Sequence, residues 1–84
     1  MKNKRIAILG AGNLGVAIAK GIVNGGIAEP KNILLTRRNI EKIQHLEQEG
    51  FQVFTDNKKA KTADIIFLCV QPKQLAALLE EIDP

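Results

Sequence analysis

Short apolar runs alternate with amphipathic stretches along the chain. Arg5–Leu9 (RIAIL) is predicted as a strand, and behind it Leu14, Ala17, Ile18, Gly21, Ile22 and Gly25 recur at steps of three and four, the stripe of a helix. Gly25-Gly26 closes that helix, as glycine does just past a helix end. After a loop at Glu29-Pro30-Lys31, Asn32–Thr36 (NILLT) reads as a second strand. Asn39 is placed to cap a helix with Ile40, Ile43 and Leu46 as its apolar positions, closed by Gly50. Phe51–Thr55 (FQVFT) is a third strand, Asp56–Ala63 a short lysine-rich helical segment, and Asp64–Val70 (DIIFLCV) a fourth strand. Pro72 suits the first position of a last helix, whose face is Leu75, Leu78, Leu79 and Ile82.

Strands that alternate with helices through short connections call for a parallel sheet with right-handed crossovers. The fold class is therefore α/β: a partial doubly wound, Rossmann-type parallel sheet of strand order 3-2-1-4 with helices on both faces. IAIL and DIIFLCV are continuous apolar runs, as in strands covered on both sides, whereas Gln52 marks FQVFT as a more exposed edge. In this order strand four is also an edge, although it is the most apolar run in the chain. An oily open edge invites aggregation. The expectation is that something lies beside strand four, and that residues 1–84 are the amino-terminal portion of a longer protein.

Composition narrows the chemistry. The 84 residues are 45% hydrophobic and 25% charged, ordinary for a globular chain. They include no Ser, Trp or Tyr, one Cys (Cys69) and one His (His45). An intrachain disulfide, a Cys/His metal site and a Ser-His-Asp triad are all short of residues. The net charge of +3 is uneven: residues 1–61 carry eleven Lys/Arg against five Asp/Glu, and residues 62–84 one against four. A basic front half suits an anionic ligand. Nucleic acid is not indicated, because Phe51, Phe54 and Phe67 all fall in strands and leave no stacking platform. Ile6–Leu9 is too short for a signal-peptide core, and Asn13, Lys20 and Asn24 interrupt any membrane span. A reducing, cytoplasmic setting is expected.

The chemistry-bearing motif is Gly10-Ala11-Gly12-Asn13-Leu14-Gly15, which follows a strand and opens a helix. That context gives G-x-G-x-x-G its weight. Gly10 permits the tight turn, Gly12 lets a pyrophosphate approach the backbone, and Gly15 lets the helix pack close to the strand. Free amides near Asn13 and Leu14, with the positive helix end, would face the phosphates. No Gly-Lys-Ser/Thr follows, so this is not a Walker loop.

Where NAD-binding domains end strand two on an acid for the ribose 2′-OH, this chain has Thr36-Arg37-Arg38-Asn39. Two arginines before a helix N-terminus oppose the helix dipole by roughly 0.3–1 kcal/mol each. A bound 2′-phosphate would reverse that effect through charge-assisted hydrogen bonds. The cofactor expected is NADP(H).

These residues resemble the amino-terminal part of the pyrroline-5-carboxylate reductase family. The motifs are Ile8-Leu9-Gly10-Ala11-Gly12-Asn13-Leu14-Gly15, Ala17-Ile18-Ala19-Lys20-Gly21, Thr55-Asp56-Asn57 and Ile65-Ile66-Phe67-Leu68-Cys69-Val70-Gln71-Pro72. The resemblance implies that Leu9, Gly10, Ala11, Gly12, Asn13 and Leu14 hold the NADPH pyrophosphate. It places Thr36, Arg37 and Arg38 at the 2′-phosphate, Asn57 near the adenosine end, and Cys69, Val70, Gln71 and Pro72 on the nicotinamide side. Gln71 stands where the family has lysine, so any side-chain role of that lysine is lost or passes to Lys73. The resemblance also implies hydride transfer to the C=N bond of 1-pyrroline-5-carboxylate, giving proline. It further implies a helical carboxy-terminal domain that forms the dimer and supplies the substrate pocket. No catalytic residue and no metal ligand is assigned in this chain.

Other residues read plainly. Cys69 is a small packed side chain, His45 a solvated helix residue, and Lys58, Lys59 and Lys61 a solvated face. Leu75, Leu78 and Leu79 are core or partner surface. Two alternatives stay open: another NADP-dependent reductase of this fold, or a non-catalytic NADP(H)-binding sensor of the same family.

Overall fold

The computed structural model describes residues 4–70 and 72–82. Four strands, β1 (Ile6–Leu9), β2 (Ile33–Thr36), β3 (Gln52–Phe54) and β4 (Ile65–Leu68), form one sheet of order β3-β2-β1-β4. All three pairings are parallel. Ile6 sits opposite Ile33 on one side and Ile65 on the other, so β1 is the strand with two neighbours at every position.

Alternate side chains of β1 and β2 feed two separate layers, as the pleat requires. Ile6, Ile8, Ile33 and Leu35 pack with Ala19, Ile43, Leu46, Phe51 and Val53 on one face. Ala7 and Leu9 pack with Ala60 and Leu78 on the other. The second layer is the thinner one. Its β3–β4 crossover is only a 3₁₀ segment, Asn57–Thr62, begun where the Asp56 carboxylate accepts the Lys58 amide at 2.9 Å. Helix α2 (Pro72–Ile82) completes it, with Leu78 buried, Leu75 half-buried and Leu79 43% exposed.

Helix α1 (Asn13–Asn24) departs from the expected stripe by one position. Gly15 and Ala19 are buried, with Val16, Ile18, Ile22 and Val23 packed against the first layer, while Leu14 is 67% exposed and Ala17 and Gly21 face water. The reason is the close approach at Gly15. A Cβ there would lie 3.1 Å from the Ile8 side chain, so the helix turns its glycine inward and Leu14 outward.

The predicted helix after Asn39 is a correction. Two 3₁₀ turns, Ile40–Lys42 and Gln44–Glu49, replace it, and Asn39 makes no side-chain cap. Ile40, Ile43 and Leu46 are spaced by threes, which aligns them on a helix of three residues per turn and spreads them on one of 3.6. Glu29-Pro30-Lys31, expected as loop, includes the start of a 3₁₀ turn at Pro30–Asn32.

At the far edge, β4 carries Ile66, Phe67 and Leu68 at 39%, 37% and 39% exposure. Its second edge has no strand partner among the described residues.

Candidate nucleotide-binding site

The carboxyl ends of β1, β2 and β4 converge on the loop from Gly10 to Gly12. This is the crevice outside the strand ends where doubly wound sheets take ligands. Three glycines meet three different demands there. Gly10 has φ +77°, and a Cβ on it would come within 2.5 Å of Val70 Cγ1 and 3.0 Å of the Cys69 carbonyl. Gly15 is required by the contact of α1 with β1. Gly12 is required by neither backbone nor packing: its φ is −83° and a Cβ would meet nothing within 4 Å. A glycine that the fold does not need leaves open space over the helix start.

That helix start fits an anion. Gly12 is the N-cap and supplies no side-chain acceptor, and the first turn holds no acid. The first intrahelical bond runs from the Val16 amide to the Gly12 carbonyl at 3.0 Å. The amides of Asn13, Leu14 and Gly15 therefore lack intrahelical acceptors, and the positive end of the dipole faces outward. Asn13 and Leu14 are exposed.

The loop is tied down from the side of β2. Ala11 donates its amide to the Thr36 carbonyl at 2.7 Å, and the Gly12 amide donates to the Gly10 carbonyl at 2.7 Å. The Gly10 amide donates to Thr36 Oγ1 at 3.4 Å. Arg37 donates its amide to the Phe54 carbonyl at 3.2 Å and its Nη1 to the Ala11 carbonyl at 3.4 Å. Arg37 is half-buried beside the loop, and Arg38 is exposed. Thr36 itself is fully buried, its hydroxyl donating to Asn57 Oδ1.

On the β4 side the Cys69 amide donates to the Leu9 carbonyl at 2.9 Å, which brings Cys69 and Val70 against Gly10. Burial pushes the Cys69 thiol above its ordinary value of 9.0, which keeps it protonated and suits a packing role. Gln71 lies outside the described residues, and Pro72 opens α2.

A family model described as "NADP oxidoreductase coenzyme F420-dependent" matches residues 5–84. The chain belongs to that family.

Among curated relatives, pyrroline-5-carboxylate reductase 2 of Dictyostelium discoideum is 54% identical over 82 residues, covering 95% of this chain and 27% of that protein. A solved pyrroline-5-carboxylate reductase from Coxiella burnetii superposes with TM-score 0.86 at 30% identity, over 96% of this chain and 30% of that one. The Plasmodium falciparum pyrroline carboxylate reductase, solved with NADP bound, gives TM-score 0.82 at 26% identity, over all of this chain and 30% of that one. The chain thus spans less than a third of the length of these relatives.

For this member of the NADP oxidoreductase family, Leu9 through Leu14, Thr36, Arg37, Asn57, Cys69 and Val70 lie on or behind one crevice, and Arg38 follows Arg37 as an exposed residue. Leu9 and Ala11 are buried under it, and Thr36 stands behind it rather than in it. The Thr36–Asn57 bond was not foreseen. Its signal in the sequence was a hydroxyl ending an otherwise apolar strand. Lys59, expected as solvated, also lies over the Phe54 ring at 5.4 Å from its centre. A separate cleft of about 290 Å³ opens at the opposite end of the strands, lined by Arg5, Lys31, Gln52 and Thr62 among others. It is remote from the glycine loop. Among the described residues no helix is long and apolar enough to cross a membrane.

Proposed function

We propose that this chain is the NADP(H)-holding part of a reductase that converts 1-pyrroline-5-carboxylate to proline. One observation carries the reading: an uncapped helix start beneath a glycine that neither fold nor packing demands, with the Arg37 guanidinium tied to the same loop. Asn13 and Leu14 would meet the pyrophosphate with their backbone amides and the helix dipole, on the turn that Gly10, Ala11 and Gly12 shape. Arg37 and Arg38 would take the 2′-phosphate, which an acid at this place would repel. Asn57 would serve the adenosine side, and Cys69, Val70, Gln71 and Pro72 the nicotinamide side. Bound there, the cofactor supplies the hydride for the C=N carbon.

The substrate is taken from the relatives' names, supported by 54% identity to one of them. We infer further that residues 1–84 are the first part of a dinucleotide-binding domain. The oily open edge of β4 supports this, since it suits a further strand of a longer chain. Substrate pocket, catalytic groups and dimer contacts would then lie outside this segment.

The test is a fluorescence titration of NADPH and NADH into wild type and into the Arg37→Ala/Arg38→Ala double variant. NADPH is expected to bind more tightly than NADH, and the double variant to lose the preference. Equal affinities in wild type would remove the NADP(H) assignment. Proline formation by this chain alone would overturn the division of labour.

A further inference from the structure

Thr36 is the one buried polar residue among the described residues, at 0% exposure in a strand otherwise made of Ile33, Leu34 and Leu35. Valine has the same shape and suits a buried strand better, so the hydroxyl calls for a reason. A hydroxyl has one proton to give and lone pairs to accept with. A backbone amide can only donate, so at Gly10 the Thr36 oxygen must accept, at 3.4 Å. Its proton goes to Asn57 Oδ1. This directionality orients the Asn57 amide, with its oxygen toward Thr36 and its NH₂ end turned away. The Thr36 carbonyl meanwhile accepts the Ala11 amide at 2.7 Å. One residue thus joins the end of β2, the glycine loop and the start of the Asn57–Thr62 turn.

We propose that Thr36 is a positioning residue for the cofactor site, one that never touches the ligand. It sets the rotamer and amide direction of Asn57 and steadies Gly10–Ala11, so that helix start and asparagine face one ligand together. This differs from a direct contact with the 2′-phosphate, which full burial forbids. The proposal rests on the NADP(H) reading above.

The experiment compares NADPH affinity in wild type, Thr36→Val, Thr36→Ser and Asn57→Ala, with Gly10 amide exchange followed by NMR in the ligand-free protein. Thr36→Val is expected to weaken NADPH at least tenfold and to speed Gly10 exchange, while Thr36→Ser stays within about threefold of wild type in affinity. In an Asn57→Ala background, Thr36→Val should add less than threefold, since the path through the amide is already gone. If Thr36→Val does not fold, Asn57→Ala carries the test, with a tenfold loss and faster Gly10 exchange expected. Wild-type affinity in Thr36→Val, or in Asn57→Ala, overturns the proposal, and so does full additivity of the two substitutions. Absence of NADPH binding in wild type instead removes the cofactor reading on which the proposal stands.

Discussion

The guanidinium of Arg37 donates from Nη1 to the main-chain carbonyl of Ala11, 3.4 Å away, and so leans on the glycine loop from the end of β2. Arg38, its neighbour, makes no comparable contact among the described residues and is exposed. The two arginines are therefore unequal. A half-buried, tethered guanidinium gives a phosphate a charge-assisted partner worth about 1.5–3 kcal/mol, and a solvated one gives less. Arg37→Ala should weaken NADPH binding by tenfold or more, and Arg38→Ala by about threefold, with NADH little affected by either. Isothermal titration of the two single variants checks the ranking.

The glycines separate stability from binding. Gly10→Ala forces a side chain into φ +77° and against Val70 Cγ1 at 2.5 Å. Left-handed strain and overpacking together should lower stability by about 2–4 kcal/mol. Gly12→Ala meets open space at an ordinary φ of −83°, so stability should change by less than about 1 kcal/mol. Its methyl nevertheless stands where the phosphates would approach. Urea unfolding with NADPH titration should show Gly10→Ala unstable and Gly12→Ala stable but at least tenfold weaker in binding.

The edge of β4 makes its own prediction. Ile66, Phe67 and Leu68 are each more than a third exposed, on a strand edge that no other strand pairs among the described residues. Such edges pair with copies of themselves. Sedimentation velocity should show concentration-dependent self-association of this chain. Ile66→Lys should shift it toward monomer, with unfolding free energy changed by less than about 1 kcal/mol. A wild-type monomer at high concentration would count against the open-edge argument.

Cys69 sets a pH dependence whose sign is fixed. Burial raises the folded thiol above the ordinary 9.0 that the unfolded chain shows. The unfolded state therefore ionises first as pH rises. The contribution of this group to stability is full below pH 9.0 and is lost as pH climbs from there through the folded value. Iodoacetamide at neutral pH should label native Cys69 far more slowly than the urea-unfolded chain.

Much of this was legible in the residues. Continuous apolar runs at Ile6–Leu9 and Ile65–Leu68 announced strands, and the glycine-rich turn between strand and helix announced the crevice. The threefold spacing of Ile40, Ile43 and Leu46 fits a 3₁₀ turn better than the α-helix that Asn39 and Gly50 suggest. Thr36 was harder. A strand covered by a packed layer on each side of the sheet buries both of its faces, so alternation does not say whether a terminal hydroxyl meets ligand or loop. Only the position of Asn57, brought in by a turn 21 residues later, decides that.

The central place of β1 has a consequence for the order of events during synthesis. The earliest of these four strands obtains its second partner from the last of them, β4, and Cys69 and Val70 behind β4 are what closes against Gly10. A ribosome adding about 5–20 residues per second has exposed the glycine loop for several seconds before those residues emerge. The nascent chain therefore carries its phosphate cradle half-assembled until almost all of this segment has been translated.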